Sequence, residues 1–248
     1  MRTPLPPFAN HRGDPVARLL ALAAPVPLLA ACTAPPQAED TSAQRAWTPE
    51  IFAMPLAEPE RFYQTTGVDH DPEDHSDTPL GRAVCTDYAG RAFPWCYDGH
   101  RGSDYLLEGG FDAMDAGSTP ILAAADGVVI ETEDGHYDRC HIDGLEVSCD
   151  GYPMRANFVK LEHPSGVRTW YWHMKTDSVA VEVGQQVRCG DVLGLVGSSG
   201  NSSTPHLHFE VRLQGEAVDP YAGPYSQPES WWAEQGDDIE ELPLGGCP

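Results

Sequence analysis

The abundance of glycine and proline constrains the fold more than any other feature, with 24 glycines and 23 prolines among 248 residues. Both residues are unfavourable inside helices, so long helices are not the main building material. The hydrophobic fraction of 41% is ordinary for a soluble protein and argues against a wholly disordered chain. The length suits one globular domain with extensions, or two small domains. We therefore expect short strands joined by turns.

Several segments are rich in β-branched and aromatic residues and lie between Gly, Asp and Pro turns. They are residues 127–133, 157–162, 168–174, 179–183, 192–196 and 206–213. No long helical patterns alternate with them, as they would in βαβ units. The sequence thus predicts an all-β fold with a mostly antiparallel sheet and few short helices.

The chain is strongly acidic, with 38 Asp and Glu against 15 Lys and Arg, a formal net charge of −23. Such a surface repels phosphate backbones, so nucleic acid is not an expected partner. Acidity by itself names no other partner, and solubility is its simplest explanation.

The amino terminus has the pattern of an export signal. Three arginines precede an apolar run at residues 19–31, which is too short to span a bilayer. We predict a signal peptide at 1–31. The following sequence Leu-Ala-Ala-Cys resembles the lipobox of bacterial lipoproteins, in which Cys32 would be diacylated and become the first residue. The alternative is an ordinary cleaved signal with an incidental Cys32. The expectation is a protein lipid-anchored to a bacterial membrane, facing the periplasm or the cell exterior.

The other six cysteines suit three disulfides in an oxidising compartment. They are Cys85, Cys96, Cys140, Cys149, Cys189 and Cys247. Six cysteines allow 15 pairings, and the sequence does not choose among them. Proximity favours Cys85 with Cys96 and Cys140 with Cys149, which leaves Cys189 for Cys247. The absence of a C-x-x-C pair in the sequence argues against a thiolate zinc knuckle.

Composition divides the chain into segments. Residues 32–78 are rich in Pro, Ala, Thr and acids, and we interpret them as an acidic tether or extension. The main domain is expected at 79–225, with an inserted loop at 134–156. A tail at 226–248, pinned by Cys247, is expected to hold one short helix at 228–234.

The placement of histidines is the most informative functional feature. On a strand, residues two apart share a face, so His206 and His208 point into the same cleft. His100 and Asp104 offer a nitrogen and an oxygen ligand suited to Zn²⁺, and Gly99 and Gly102 favour a loop or a short strand over a helix there. His173 ends an aromatic strand, where alternation places it with Thr169 and Tyr171. Each of these patterns is weak alone, and an isolated histidine is more often structural than catalytic.

Together, in this order and spacing, the three segments resemble the LytM/lysostaphin-type zinc metallopeptidases. That family shows H-x-G-x-D, then a strand ending in an aromatic-x-His, then H-L-H-F-E. The intervening segments 112–129 and 183–202 also resemble the family. The similarity covers about residues 98 to 221, and the motifs are jointly specific. The resemblance implies a sheet that forms an open groove, and one zinc ion per chain.

The resemblance assigns roles residue by residue. His100, Asp104 and His208 match the zinc ligands, and His173 and His206 match the histidines that flank the attacking water. Which of His173 and His206 is the base does not follow from the sequence. Thr204 stands where the family often has Gly, so a positive φ there would be strained.

The expected function is a zinc metalloendopeptidase that acts on peptide crosslinks of bacterial peptidoglycan, with the stem peptides and a membrane as partners. The oligomeric state is open, and a monomer is the simplest expectation. A second hypothesis is a non-catalytic regulator of a cell-wall amidase. A third is a latent enzyme whose residues 33–95 block the groove. A degenerate regulator would be expected to have lost some of the five site residues, and this chain retains them all.

Overall fold

The computed structural model describes residues 50–78, 81–117, 119–144, 146–236 and 241–247. Within these ranges the chain forms twelve strands, one α-helix, α1 (Gly110–Ala116), and two 3-10 helices, Pro59–Arg61 and Gly81–Ala83. The strands are β1 (Phe62–Thr66), β2 (Ser103–Leu107), β3 (Pro120–Leu122), β4 (Gly127–Glu133), β5 (His141–Asp143), β6 (Glu146–Ser148), β7 (Phe158–Glu162), β8 (Arg168–Trp172), β9 (Gln186–Val187), β10 (Val192–Leu195), β11 (His206–Leu213) and β12 (Glu216–Val218). Every pair of neighbouring strands is antiparallel, so the predicted fold class is confirmed.

Most strands belong to one large sheet in the order β1-β2-β11-β8-β7-β4-β9, and β12 pairs with β11 off this path. Strand β11 therefore lies inside the sheet, between β2 and β8. Its residues Leu207 and Phe209 are almost completely buried, while His206 and His208 point to the opposite face. The sheet thus separates an apolar core from a histidine-bearing face.

The largest fully buried side chains of the core are aromatic. Tyr105, Tyr171 and Phe209 are almost completely buried there, and the rings of Tyr171 and Phe209 lie 5.3 Å apart. Burial of one side chain of this size contributes about 1.5–3 kcal/mol. The core fixes the strands whose other face carries the histidines.

Residues 50–78 differ from the expected tether. Phe52 is completely buried in the core, with its ring 6.0 Å from that of Phe209. Strand β1 pairs with β2 at the edge of the large sheet. The tether interpretation is therefore wrong for residues 50–78. The segment is anchored in the core by three alternating apolar residues, Phe52, Met54 and Leu56. They are too few to make the composition of residues 32–78 apolar.

The predicted helix at 228–234 is also wrong. The backbone pairs with the segment around Phe52 instead: the Phe52 N–H donates to the Trp231 carbonyl at 2.7 Å, and the Ala233 N–H donates to the Phe52 carbonyl at 2.8 Å. Trp231 and Trp232 are buried by this pairing. Local propensity does not reveal such a long-range contact, and the same holds for residues 179–183, which do not form the predicted strand.

All three disulfides expected from proximity are present: Cys85–Cys96, Cys140–Cys149 and Cys189–Cys247. The second closes the inserted loop 134–156 around the β5–β6 hairpin. The third attaches the carboxyl-terminal tail, as predicted.

The predicted signal peptide, Cys32 and residues 33–49 lie outside the described residues. In the ranges that are described, no helix combines the length and apolar character needed to cross a membrane.

Candidate metal centre

The three predicted metal ligands meet beside the sheet. His100 Nε2 lies 3.1 Å from His208 Nδ1 and 3.3 Å from Asp104 Oδ2, and His208 Nδ1 lies 2.8 Å from Asp104 Oδ1. Their candidate ligand atoms all lie within 4.8 Å of one another. Two imidazole nitrogens and a carboxylate oxygen fit Zn²⁺, and three protein ligands leave one tetrahedral position for water or substrate.

The sheet positions two of these residues directly. In the antiparallel pairing of β11 with β2, His208 lies opposite Asp104, so both side chains project from the same face. His100 precedes β2 in a loop, as Gly99 and Gly102 predicted. Gly99 has a φ of 72°, the left-handed region that favours glycine.

Two residues of the amino-terminal segment hold the ligands from behind. His100 Nδ1 donates to the Gly67 carbonyl at 2.7 Å, which leaves the Nε2 lone pair free for a metal. Thr66 Oγ1 donates to Asp104 Oδ2 at 2.9 Å. Sequence reasoning missed both partners because it placed them in a tether. The run Phe62–Thr66, with its aromatic and β-branched residues, was the signal for a strand.

A third supporting contact comes from β11. Glu210 Oε2 lies 3.8 Å from His208 Nε2, on the far side of the imidazole from its candidate ligand atom. Arg212 Nε donates to Glu210 Oε1 at 2.8 Å and holds this buried carboxylate in place. A carboxylate behind a ligating histidine typically orients the ring and increases its basicity.

The two remaining predicted histidines lie next to this centre, with ring centroids 4.6 Å apart. His206 Nδ1 donates to the Thr204 carbonyl at 2.8 Å, and His173 Nδ1 donates to the Ser199 carbonyl at 2.7 Å. In both imidazoles the lone pair is therefore on Nε2. Thr204 is not among the described residues with a positive φ, so the strain considered for that position does not arise.

His173 reaches the centre by breaking the alternation of its strand. The prediction that it shares a face with Thr169 and Tyr171 is wrong, because that face is the core. Strand β8 ends at Trp172, and His173 has a φ of 66°, in the left-handed region. This backbone turn brings the imidazole beside His206. Period-two alternation does not extend through such a residue.

Burial and neighbouring charges set the protonation of the site. Burial lowers the pKa of His173 well below its usual value and lowers that of His206, so both are neutral at pH 7. Burial opposes ionisation of Asp104, but His100 and His206 outweigh it and hold the pKa of this carboxyl well below its usual value. Burial would lower the pKa of His208, yet the hydrogen bond to Asp104 and the nearby Glu210 carboxylate raise it to about 9.

A cleft of about 240 Å³ opens over the centre. Arg82 and Tyr97 line one side, and the Tyr97 ring lies 4.3 Å from that of His100. Ile142 and Val147, from the inserted hairpin β5–β6, also line the cleft. The insertion therefore contributes to the lining of the cleft.

Three further histidines are not part of the ligand group. His136 and His141 lie in the inserted loop. His163 is only 3% exposed. Its ring nitrogens lie 2.8 Å from the Asp126 carbonyl and 2.8 Å from Thr169 Oγ1. It is a core histidine with both nitrogens satisfied.

Comparison with known proteins identifies related domains. Residues 107–220 match the family model described as Peptidase family M23. This match contains His173, His206 and His208 and begins after His100 and Asp104.

Three curated proteins illustrate the relationship. The DD-carboxypeptidase/endopeptidase Mpg of Neisseria meningitidis is 35% identical over 130 residues, 52% of this chain and 24% of that protein. The murein hydrolase activator EnvC of Escherichia coli is 38% identical over 94 residues, 38% of this chain and 22% of that protein. The peptidoglycan DD-endopeptidase ShyA of Vibrio cholerae is 30% identical over 120 residues, 48% and 22% of the two chains. The chain therefore matches at most about a quarter of the length of these relatives.

Among solved structures, the catalytic domain of lysostaphin from Staphylococcus simulans is 28% identical, with a TM-score of 0.34 over 50% of this chain and 77% of that one. The relationship to known proteins rests on the family match and the curated relatives. It does not rest on this structural superposition.

Proposed function

We propose that this chain, which contains a domain of Peptidase family M23, is an exported zinc metalloendopeptidase that hydrolyses peptide crosslinks of bacterial peptidoglycan. The observation that carries the proposal is the convergence of a three-residue donor set and two neutral histidines in one cleft. The substrate class is supported by relatives that are named as peptidoglycan endopeptidases.

His100, Asp104 and His208 would hold the zinc ion. When bound, zinc makes water nucleophilic near neutral pH and polarises the scissile carbonyl. The Gly67 carbonyl and Thr66 Oγ1 fix the orientation of His100 and Asp104 for this task.

His173 and His206 supply the proton transfers. Each presents an unprotonated Nε2, because its Nδ1–H is engaged by a backbone carbonyl. One of the two accepts a proton on Nε2 from the attacking water. That proton, on the same imidazole or after transfer to the other, is then available to stabilise the oxyanion or to protonate the leaving amine. Their lowered pKa values keep both available as proton acceptors at neutral pH.

The test is to incubate the purified chain with peptidoglycan and zinc and to identify the released muropeptides. We expect cleavage that a chelator abolishes and that His208→Ala or His206→Ala reduces by about a hundredfold or more. His141→Ala, a histidine of the inserted loop, is the matched control and should retain activity. Peptidoglycan left intact by the zinc-loaded chain would overturn the proposal.

A regulatory role is the second candidate, and the 38% identity to the murein hydrolase activator EnvC favours it. A regulator would stimulate a cell-wall amidase without cleaving peptide crosslinks itself. Stimulation that survives His206→Ala, together with no cleavage by the chain alone, would support this candidate over the enzyme.

The latent-enzyme hypothesis needs a revised test. Removal of residues 33–95 would delete Thr66 and Gly67, which contact Asp104 and His100, and would break the Cys85–Cys96 disulfide. A truncation that ends before residue 50 keeps these contacts. Cleavage that appears only after this shorter truncation would indicate latency.

We also propose that acyl chains on Cys32 attach the protein to a bacterial membrane, with the domain facing the periplasm or the exterior. The apolar run and the Leu-Ala-Ala-Cys sequence support this. Cys32→Ser should move the protein from the membrane fraction to the soluble fraction. Unchanged sedimentation of this variant with membranes would disprove the anchor.

A further inference from the structure

We infer that Arg82 binds a free carboxylate of the substrate peptide, so that the cleft prefers crosslinks in which a residue beside the scissile bond carries an unamidated carboxylate. The class of substrate, a peptidoglycan peptide, is taken from the proposed function, and the inference rests on it. Its basis is the position of an exposed cation at the candidate metal centre of an acidic protein.

Arg82 lies in the 3-10 helix Gly81–Ala83 and lines the same cleft as Asp104, His206 and His208. Its guanidinium carbon is 5.3 Å from the centroid of the Tyr97 ring, which lies 4.3 Å from the ring of His100. The cation is therefore separated from a candidate ligand by one aromatic ring. Because Arg82 lines this cleft, a peptide bound in it can contact the guanidinium.

Most other cations in the described part of the chain pair with carboxylates. They are Arg61, Arg91, Arg139, Arg155, Lys160, Arg168 and Arg212. Within the same described residues, no Asp or Glu oxygen lies within 4.0 Å of the Arg82 guanidinium. In that part of the chain Arg101, Lys175 and Arg188 also lack such a partner, but among these four cations only Arg82 lines the cleft. Its planar guanidinium is available for two parallel hydrogen bonds to a substrate carboxylate.

The loop that carries Arg82 is held in place before any substrate binds. The Asp98 N–H donates to the Arg82 carbonyl at 3.2 Å, and the Cys85–Cys96 disulfide fixes the chain shortly after this residue. A preorganised backbone reduces the entropy lost when the guanidinium engages a ligand. The fixed backbone of Arg82 therefore suits the binding of a substrate carboxylate.

The inserted hairpin gives the cleft an aliphatic lining. Ile142 is 54% exposed, and both Ile142 and Val147 line the cleft. These side chains can contact small aliphatic substrate residues while Arg82 contacts a carboxylate. The cleft thus offers an apolar contact and a cation to the same bound peptide.

The experiment compares cleavage of two crosslinked muropeptide dimers by the zinc-loaded full chain in detergent. One dimer has free carboxylates and the other has the same groups amidated. Wild-type protein should prefer the free form by about tenfold or more in kcat/KM. Arg82→Gln should lose this preference through a higher KM for the free form and should match wild type on the amidated form. Arg82→Lys should be intermediate, since it keeps the charge without the planar fork.

Arg188→Gln is the matched control, an exposed arginine that lines a different depression, and it should behave as wild type on both dimers. The inference is overturned if Arg82→Gln equals wild type on both dimers, or loses the same factor on both.

A binding measurement separates this inference from the proposed function. Calorimetric titration of the uncleaved free-carboxylate dimer into His206→Ala should show binding that the added Arg82→Gln change weakens by about tenfold or more. If wild type cleaves neither dimer, the proposed activity fails, while binding that depends on Arg82 still supports the carboxylate site. Binding of equal strength with and without Arg82→Gln refutes that site.

Discussion

Gly102 lies so close to His208 that the position has no room for a side chain. A Cβ on Gly102 would stand 2.7 Å from His208 Nε2 and 2.6 Å from the Phe209 carbonyl oxygen. Real Cβ atoms essentially never approach other heavy atoms this closely. The glycine of the H-x-G-x-D motif is therefore required here by the space that the His208 imidazole occupies.

Gly102→Ala should weaken metal binding. Because the Phe209 carbonyl belongs to the sheet and cannot move easily, the new methyl group must displace the imidazole of His208. We expect zinc affinity to fall by about 10–100-fold, the range seen when groups that orient metal ligands are changed. Competition with a fluorescent chelator measures the affinity directly.

Gly117→Ala provides the control, since nothing lies within 4 Å of its added Cβ and its φ of −163° is ordinary extended backbone. This variant should bind zinc as wild type does. Equal zinc affinity for Gly102→Ala and wild type would show that His208 is not a ligand or that its ring shifts without cost.

Thr66→Val should also reduce zinc affinity. Valine keeps the shape of threonine but removes the hydroxyl that donates to Asp104 Oδ2 at 2.9 Å. Without this donor the carboxylate is less firmly oriented, and we expect about a tenfold loss of affinity. Thr66→Ser, which retains the hydroxyl, should recover most of it. A Ser variant as weak as the Val variant would contradict the role of the hydroxyl.

The residues that sequence predicted best are those whose geometry is local. Strand parity places His206 and His208 on one face because the period of two is a property of the backbone alone. The opposition of His208 and Asp104 depends on the register between β11 and β2, which joins segments about a hundred residues apart. No local pattern encodes that register, so the resemblance to a known family was needed to join them.

The predictions that were wrong or incomplete also failed because they depend on non-local structure. Thr66 and Gly67 act through contacts with Asp104 and His100, which lie more than thirty residues away, so the composition of their own segment suggested a tether or extension. His173 departs from alternation through a left-handed backbone that a non-glycine residue rarely adopts. Phe52 joins the core because Trp231 and Trp232 pack beside it, and neither segment predicts this alone.

His163 should make stability depend on pH. Burial lowers its pKa below the usual 6.5, so below pH 6.5 the unfolded chain binds more protons than the folded one. Above pH 6.5 neutral His163 therefore does not reduce the free energy of unfolding. As the pH decreases from 6.5 toward the pKa of the folded state, the free energy of unfolding falls by at most about 1.4 kcal/mol per pH unit. Urea denaturation from pH 8 to 5 at saturating zinc measures this slope.

His163→Gln should flatten the profile in that range, although the variant is less stable at pH 8 because it loses a buried hydrogen bond. His141→Gln, in the inserted loop, should leave the slope unchanged. Parallel profiles for His163→Gln and wild type would exclude His163 as the titrating group.

Removal of two disulfides should separate stability from activity. Cys140–Cys149 joins residues only 9 apart, whereas Cys189–Cys247 joins residues 58 apart. Loss of loop-closure entropy in the unfolded state predicts costs of about 2–3 kcal/mol for the first and about 4 kcal/mol for the second. Replacing each pair by serine and measuring urea denaturation tests this order.

Removal of Cys140–Cys149 should affect activity more than removal of Cys189–Cys247, the reverse of the order expected for stability. Cys140 N–H donates to the Ser198 carbonyl at 2.9 Å, and Ile142 N–H donates to the Ser203 carbonyl at 3.2 Å, so these bonds hold the hairpin against the loop that precedes His206. The first disulfide closes the base of this hairpin. Its removal frees Ile142 and Val147, and KM should rise several-fold while zinc affinity stays constant. Removal of Cys189–Cys247 should leave KM unchanged at a temperature where both variants remain folded. A rise in KM for the second variant alone would mean that the hairpin does not contact the substrate.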